Sequence, residues 1–185
     1  MLLSACVVGD VTDRPGVDPD PQDPDPQDPD PQDPEPETPS GQVRITATTT
    51  TKGGLYAPAN VVAVWIEDST GAFVKTIDRW SQVRTNYLLA WNAKAGLGDT
   101  DAVSGATRID HATPLDITWK LKANQVEVPD GTYTIRMEST ETNSISEADN
   151  NEGTFTFVKG PQAQSQTALA SGGFTNVSIE FTPAP

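Results

Sequence analysis

From Asp18 onward the sequence repeats Asp-Pro-Asp-Pro-Gln three times and then reads Asp33-Pro34-Glu35-Pro36-Glu37. No part of this run can enter a helix or a sheet, because each proline fixes φ near the polyproline II value and removes a backbone donor. The carboxylates between the prolines repel one another and extend the chain further. At roughly 3.1 Å per residue, some twenty such residues reach about 60 Å. Residues 7–40 are therefore expected to be a disordered, acidic, proline-rich linker. An extended chain cannot converge its aspartates on one calcium ion without bending. All folding then falls to residues 41–185, a common size for one domain.

The charge follows the same division. Of the formal −14, residues 1–40 carry −10 and residues 41–185 carry −4. Neither part has the basic stripe that neutralises phosphates, which excludes a nucleic-acid binder. No run of apolar residues is long enough to span a membrane.

The chain has one cysteine, Cys6, so an intramolecular disulfide is ruled out. Leu3-Ser4-Ala5-Cys6 resembles the lipobox of bacterial lipoproteins, with small residues ahead of a cysteine that becomes lipidated. Only Met1-Leu2 precede the box, so residues 1–6 read as a truncated signal. The resemblance implies a membrane anchor through lipid on Cys6. Val7-Val8 lack the aspartate of an inner-membrane retention signal, which points to the outer membrane.

After Gly41 the pattern changes to period two. Val43, Ile45 and Ala47 alternate with Arg44, Thr46 and Thr48, as in a half-buried strand. Val61–Ile66 is continuously apolar and reads as a central strand covered on both faces. Phe73–Trp80 returns after the turn at Asp68-Ser69-Thr70-Gly71, making a hairpin. Val83, Tyr87, Leu88 and Trp91 sit at near-helical spacing, which predicts a short helix or ordered loop across the sheet. Leu115, Ile117, Trp119 and Leu121 alternate again. Val128-Pro129-Asp130-Gly131 is a turn into Tyr133, Ile135 and Met137. Phe155 and Phe157 mark another strand, and a polar excursion over 160–173 leads to the last, at Val177, Ile179 and Phe181. Seven or so such strands predict an all-β fold, an antiparallel immunoglobulin-like β-sandwich over residues 41–185.

Trp119 with Val128-Pro129-Asp130-Gly131-Thr132-Tyr133 is similar to a strip in the Ig-like domains of flagellar-hook capping proteins, where a tight turn joins two adjacent strands. Val64–Asp68, Gly71 with Phe73–Thr76, Asp101–Arg108, Trp119 and Asp130–Tyr133 together resemble the domain of unknown function 2271 family, predicted periplasmic proteins. The similarity covers about residues 56–140. It implies an envelope location and the company of membrane redox and flavin-transfer proteins.

The stretch with most chemical content is Asp101-Ala102-Val103-Ser104-Gly105-Ala106-Thr107. Read as D-x-x-S-G-A-T, it resembles the acceptor sequence on which bacterial flavin transferases attach FMN to a threonine. The resemblance makes Thr107 the attached residue, Asp101 a recognition or orienting group and Ser104 a hydrogen-bond partner. Gly105 and Ala106 let the backbone approach closely. The plainer reading is a turn at Ser104-Gly105 with Asp101 as a local cap. Trp65, Trp80, Trp91, Trp119 and Tyr87 are candidates to pack on an isoalloxazine ring, although aromatic residues more often build cores.

Other chemistry finds little support. The single histidine, His111, lies near no G-x-S-x-G elbow and is expected in an exposed loop. One histidine and one cysteine do not make a zinc set. The acidic groups at 147–152 and at Asp99/Asp101 lack EF-hand spacing and read as polar turns, so no metal is expected. The expected function is a non-catalytic, lipid-anchored envelope module carrying covalent FMN on Thr107 for electron transfer, served by a flavin transferase and redox partner proteins. The alternative is a structural or adhesive Ig-like module without a cofactor.

Overall fold

Two four-stranded antiparallel sheets account for almost all of the folded chain in the computed structural model, which describes residues 41–99, 101–102 and 105–185. The linker and Cys6 lie outside the described residues. The strands are β1 (Gln42–Thr49), β2 (Val61–Glu67), β3 (Phe73–Trp80), β4 (Leu115–Trp119), the two-residue pair β5 (Lys122–Ala123) and β6 (Val126–Glu127), β7 (Gly131–Thr140), β8 (Asn151–Lys159), β9 (Gln164–Ser171) and β10 (Phe174–Thr182). One sheet has the order β4-β1-β10-β9 and the other β3-β2-β7-β8. One short helix, α1 (Leu89–Ala95), follows β3.

The alternating residues meet between the sheets. Val43, Ile45, Leu115, Ile117, Val177 and Ile179 from one sheet pack on Val62, Val64, Ile66, Ile135, Met137 and Phe157 from the other. This is the sandwich that period-two alternation predicts. β2 is buried along its whole length because α1 covers its second face. There Val61, Ala63 and Trp65 pack against Leu88 and Trp91. The expected helix is present, but Val83, read as part of its apolar stripe, is exposed. The chain enters the helix only after a 3₁₀ turn at Thr85–Tyr87.

Two regions differ from the sequence reading. The polar excursion at 160–173 contains β9, a full edge strand paired with β10. Its polar side chains close the seam against β8. Gln164 Nε2 donates to Val158 O at 2.8 Å, Gln166 Nε2 to Thr156 O at 2.8 Å, and Thr154 N donates to Ser171 Oγ at 3.2 Å. These bonds satisfy backbone groups that an edge strand otherwise leaves bare. The strip from Trp119 to Tyr133 does not join neighbours in one sheet. It carries the chain from β4 across to β7 in the other, with Tyr133 Oη donating to Pro129 O at 2.7 Å.

Asp78 is a polar intrusion. It pairs across the ladder with Val64 and so shares the face Val64 presents to the core. Burial pushes its carboxyl up to about 6, against a backbone hydrogen bond from Arg79 N at 2.8 Å. A carboxyl raised in the folded state loses nothing below its unfolded pKa of about 4, where both states are protonated, and destabilises the fold increasingly as pH rises toward 6. Asp78→Asn is therefore expected to stabilise the protein at pH 7–8 by about 1–2 kcal/mol, allowing for water at a half-buried site. Urea midpoints at pH 4 and pH 7.5 check this; a variant with the same pH dependence as the parent refutes it.

Candidate functional site

After α1 the chain crosses from one sheet to the other along the exposed edge of β3, and this crossing contains the D-x-x-S-G-A-T stretch. Asp99 starts the crossing. One of its oxygens accepts from Thr76 Oγ1 of β3, whose hydroxyl also accepts from Trp91 Nε1 at 2.9 Å. The other accepts from Asp101 N at 2.9 Å. Asp101 makes an ion pair with Lys75 Nζ at 3.6 Å. Gly105 then bridges Trp80 in the parallel direction, and a Cβ added to Gly105 would meet Trp80 Cδ1 at 3.4 Å. Arg108 bridges Asn60 with two backbone bonds of 2.9 Å. The described parts of the crossing are thus tied to β3 through Asp99, Asp101 and Gly105, and to Asn60, just before β2, through Arg108.

Of the residues singled out in the sequence, Asp101, Gly105, Ala106 and Thr107 lie on this crossing; Ser104 lies outside the described residues. Asp101 ties the crossing to Lys75. Thr107 is half-buried, and its Oγ1 is enclosed with no hydrogen-bond partner among the described residues. A buried hydroxyl without a partner is uncommon and carries a desolvation cost of about 1–3 kcal/mol.

Thr107 borders a groove of about 300 Å³, walled by Trp80 and residues 106–110 and closed by Thr113. Of the four tryptophans, Trp65, Trp91 and Trp119 are buried in the two cores, whereas Trp80 is partly buried, packing against the inter-sheet core while lining this groove. Arg108 sits with its guanidinium carbon 5.7 Å from the Trp80 ring centroid, within cation–π range. Its Nη2 donates to Thr113 O, while its Nε is buried without a partner. Burial lowers the Arg108 pKa, and the Asp110 charge offsets part of this. The Asp110 carboxylate is itself held by Thr113 N at 2.7 Å and Thr113 Oγ1 at 3.1 Å, which lowers its pKa.

These residues fit an FMN phosphoester in kind. An unpartnered hydroxyl, an under-used guanidinium and an indole wall offer an attachment atom, a cation for phosphate and an apolar face for a ring. In the sequence Trp80 is one of five aromatic candidates for the ring, and Arg108 has no assigned role. Only the register of the crossing on β3 brings them together.

The structure corrects the reading of His111 as an exposed loop residue. Its side chain is 15 % exposed, and Nδ1 lies 2.8 Å from Thr49 Oγ1 while Nε2 bonds Glu141 Oε1. Burial alone raises the Glu141 pKa, but hydrogen bonds from Gly54 N, Thr51, His111 and Lys52 N outweigh it and hold the group below its ordinary value. Hydroxyl, imidazole and carboxylate stand in the order of a hydrolytic triad. Thr49 is 4 % exposed, however, and its oxygen is sealed inside the fold. The cluster works as a clamp joining the end of β1 to the end of β7. Sequence separation hid it, since its three members are far apart in the chain. Among the described residues, no three His, Cys, Asp or Glu side chains converge on a metal-sized site, and no helix is long and apolar enough to cross a membrane.

No curated protein and no solved structure matches the chain. The family model described as "Predicted periplasmic protein (DUF2271)" matches residues 42–174, from the first residue of β1 to the first of β10. That span covers most of the chain and nearly the whole sandwich, and the protein belongs to this family of predicted periplasmic proteins.

Proposed function

We propose that this protein is a lipid-anchored electron carrier of the bacterial envelope, with FMN joined to Thr107 through a phosphoester. The observation that carries the reading is the unpartnered Thr107 hydroxyl beside a groove walled by Trp80 and Arg108. Position supports it too. The chain enters the sandwich at Gly41, at the end where β1 begins, whereas Thr107 lies with the loops at the opposite end, beside the end of β3. Thr107 is thus at the end of the sandwich away from Gly41.

In the transfer, Thr107 Oγ attacks the riboflavin-side phosphorus of FAD held on a flavin transferase with its metal. The P–O bond to the adenylate breaks, AMP leaves with the bonding pair, and the hydroxyl proton passes to a base of the transferase. Because Thr107 Oγ1 is enclosed, residues 105–107 have to lift from the β3 edge for the attack. Once attached, FMN supplies reversible one- and two-electron chemistry that no side chain provides. The role of this chain is then to position and shield it.

Intact mass and visible absorbance of the full chain, made with and without a flavin transferase, test the reading. The expected result is a gain of FMN less one water, lost in Thr107→Ala and kept in Ser104→Ala. Unmodified protein recovered from the envelope of the native host overturns it. In the same preparations fatty-acid labelling should disappear with Cys6→Ser, and persistent labelling would place the anchor elsewhere. The second reading, an Ig-like module that binds a protein partner, is favoured by the exposed aliphatic side chains of Leu55, Ile109 and Ile145 in the loops at the Thr107 end.

A further inference from the structure

We propose that Arg108 is the phosphate-binding residue of the Thr107 site, pairing with the phosphodiester after FMN is attached. This rests on the carrier reading and adds to it a residue outside the D-x-x-S-G-A-T stretch. Arg108 is adjacent to Thr107 and lines the same groove. Its guanidinium is half-buried yet makes no ion pair among the described residues, and its Nε has no acceptor. The nearest acid named beside it, Asp110, has its carboxylate oxygens taken by Thr113 N and Oγ1.

A guanidinium in this state needs an acceptor that carries charge and two oxygens. A phosphodiester supplies both, since its two non-bridging oxygens match the fork of an arginine and it keeps one negative charge at every physiological pH. The bond from Nη2 to Thr113 O and the Trp80 ring, 5.7 Å from the guanidinium carbon, hold the group at the groove before the ligand arrives. Attachment also removes a problem at Thr107. The ester oxygen is an acceptor only, so the enclosed O–H donor without a partner no longer exists. Two unsatisfied polar atoms, on adjacent residues lining one groove, are thus resolved by one group. The Asp110 charge works against an anion here and sets a limit on how tightly it is held.

The test compares melting temperatures of the full chain with and without attached FMN, in low salt, for the parent, Arg108→Gln and Arg108→Lys. Mass spectrometry comes first, to establish how much FMN each carries. Attachment should raise the parent melting temperature by about 3–6 °C, the shift expected when a charged pair forms in a domain of this size. The gain should vanish in Arg108→Gln and return in part in Arg108→Lys. An equal gain in Arg108→Gln overturns the assignment, as does no gain in the parent. If Arg108→Gln does not fold, Arg108→Lys decides, and an undiminished gain there overturns it too. A parent that takes up no FMN overturns the carrier reading itself, and the mass readout separates that failure from the others.

Discussion

Gly172→Ala lowers the unfolding free energy by about 3 kcal/mol or more, the class of effect seen when a special backbone position and a steric clash coincide. Gly172 and Gly173 form the two-residue loop between β9 and β10, with φ of +50° and +87°. Successive positive φ values are what a tight hairpin loop of the right twist requires. Conformation alone makes alanine unfavourable there by about 1 kcal/mol. Space makes it far worse, because a Cβ on Gly172 would lie 1.6 Å from Glu152 O and 2.4 Å from its carbonyl carbon. Backbone cannot yield as a side-chain tip can, so the hairpin must pull away from β8. The movement would also break the bond from Thr50 N to Gly173 O, 2.8 Å, which ties the loop to the end of β1. Gly71→Ala is the matched control: its φ is +80°, but nothing lies within 4 Å of the added carbon. Urea unfolding of both variants separates strain from clash. If the two lose equal stability, the contact with Glu152 is not what makes Gly172 necessary.

Glu138→Ala is expected to destabilise the protein by about 3 kcal/mol and to free α1 from the sheet. Glu138 is fully buried on the outer face of β7, beneath the helix. Its carboxylate accepts from Ala90 N at 3.2 Å, Trp91 N at 2.9 Å and Asn150 Nδ2 at 2.7 Å. Burial pushes its pKa up, and these three donors pull against the rise. Leu88, at the N-cap of α1, supplies no side-chain cap, so Glu138 performs that service from another strand. Alanine leaves two helix N–H groups without acceptors in a space water does not reach, and leaves the Asn150 amide only its bond to Tyr87 O, 2.8 Å. Hydrogen exchange at Ala90 and Trp91 should accelerate beyond what the global loss explains, and Trp91 fluorescence should shift toward that of an exposed indole. Exchange that rises uniformly over all strands would show that Glu138 supports the whole sandwich and has no particular hold on the helix.

The sandwich was legible because its core strands alternate cleanly. Val43/Ile45/Ala47, Leu115/Ile117/Trp119 and Tyr133/Ile135/Met137 each put one face into the core, and period two reports that directly. β9 escaped for the opposite reason. As an edge strand it uses glutamine amides to meet β8, so its sequence, Gln164-Ser165-Gln166-Thr167-Ala168, carries polarity where a buried strand carries valine. At the candidate site the sequence named Thr107 through its neighbours in the chain. It could not separate Trp80, which arrives from β3, from the other aromatic candidates, and it was silent on the clamp of His111 with Thr49 and Glu141, because those contacts depend on register and on long-range closure.

The pairing of β1 with β10 sets Gln42 opposite Thr182, so the first and last strands of the sandwich are neighbours. β10 lies inside its sheet, between β1 and β9, and it extends past the residues that the family shares. Loop closure over the whole length of the sandwich must precede the contacts that reward it, which makes folding slow and its rate sensitive to topology. No partial product of synthesis can complete this sheet. A chain stopped before Phe174 keeps one whole side of β1 open to other molecules, and only the final segment converts that hazard into the centre of the fold.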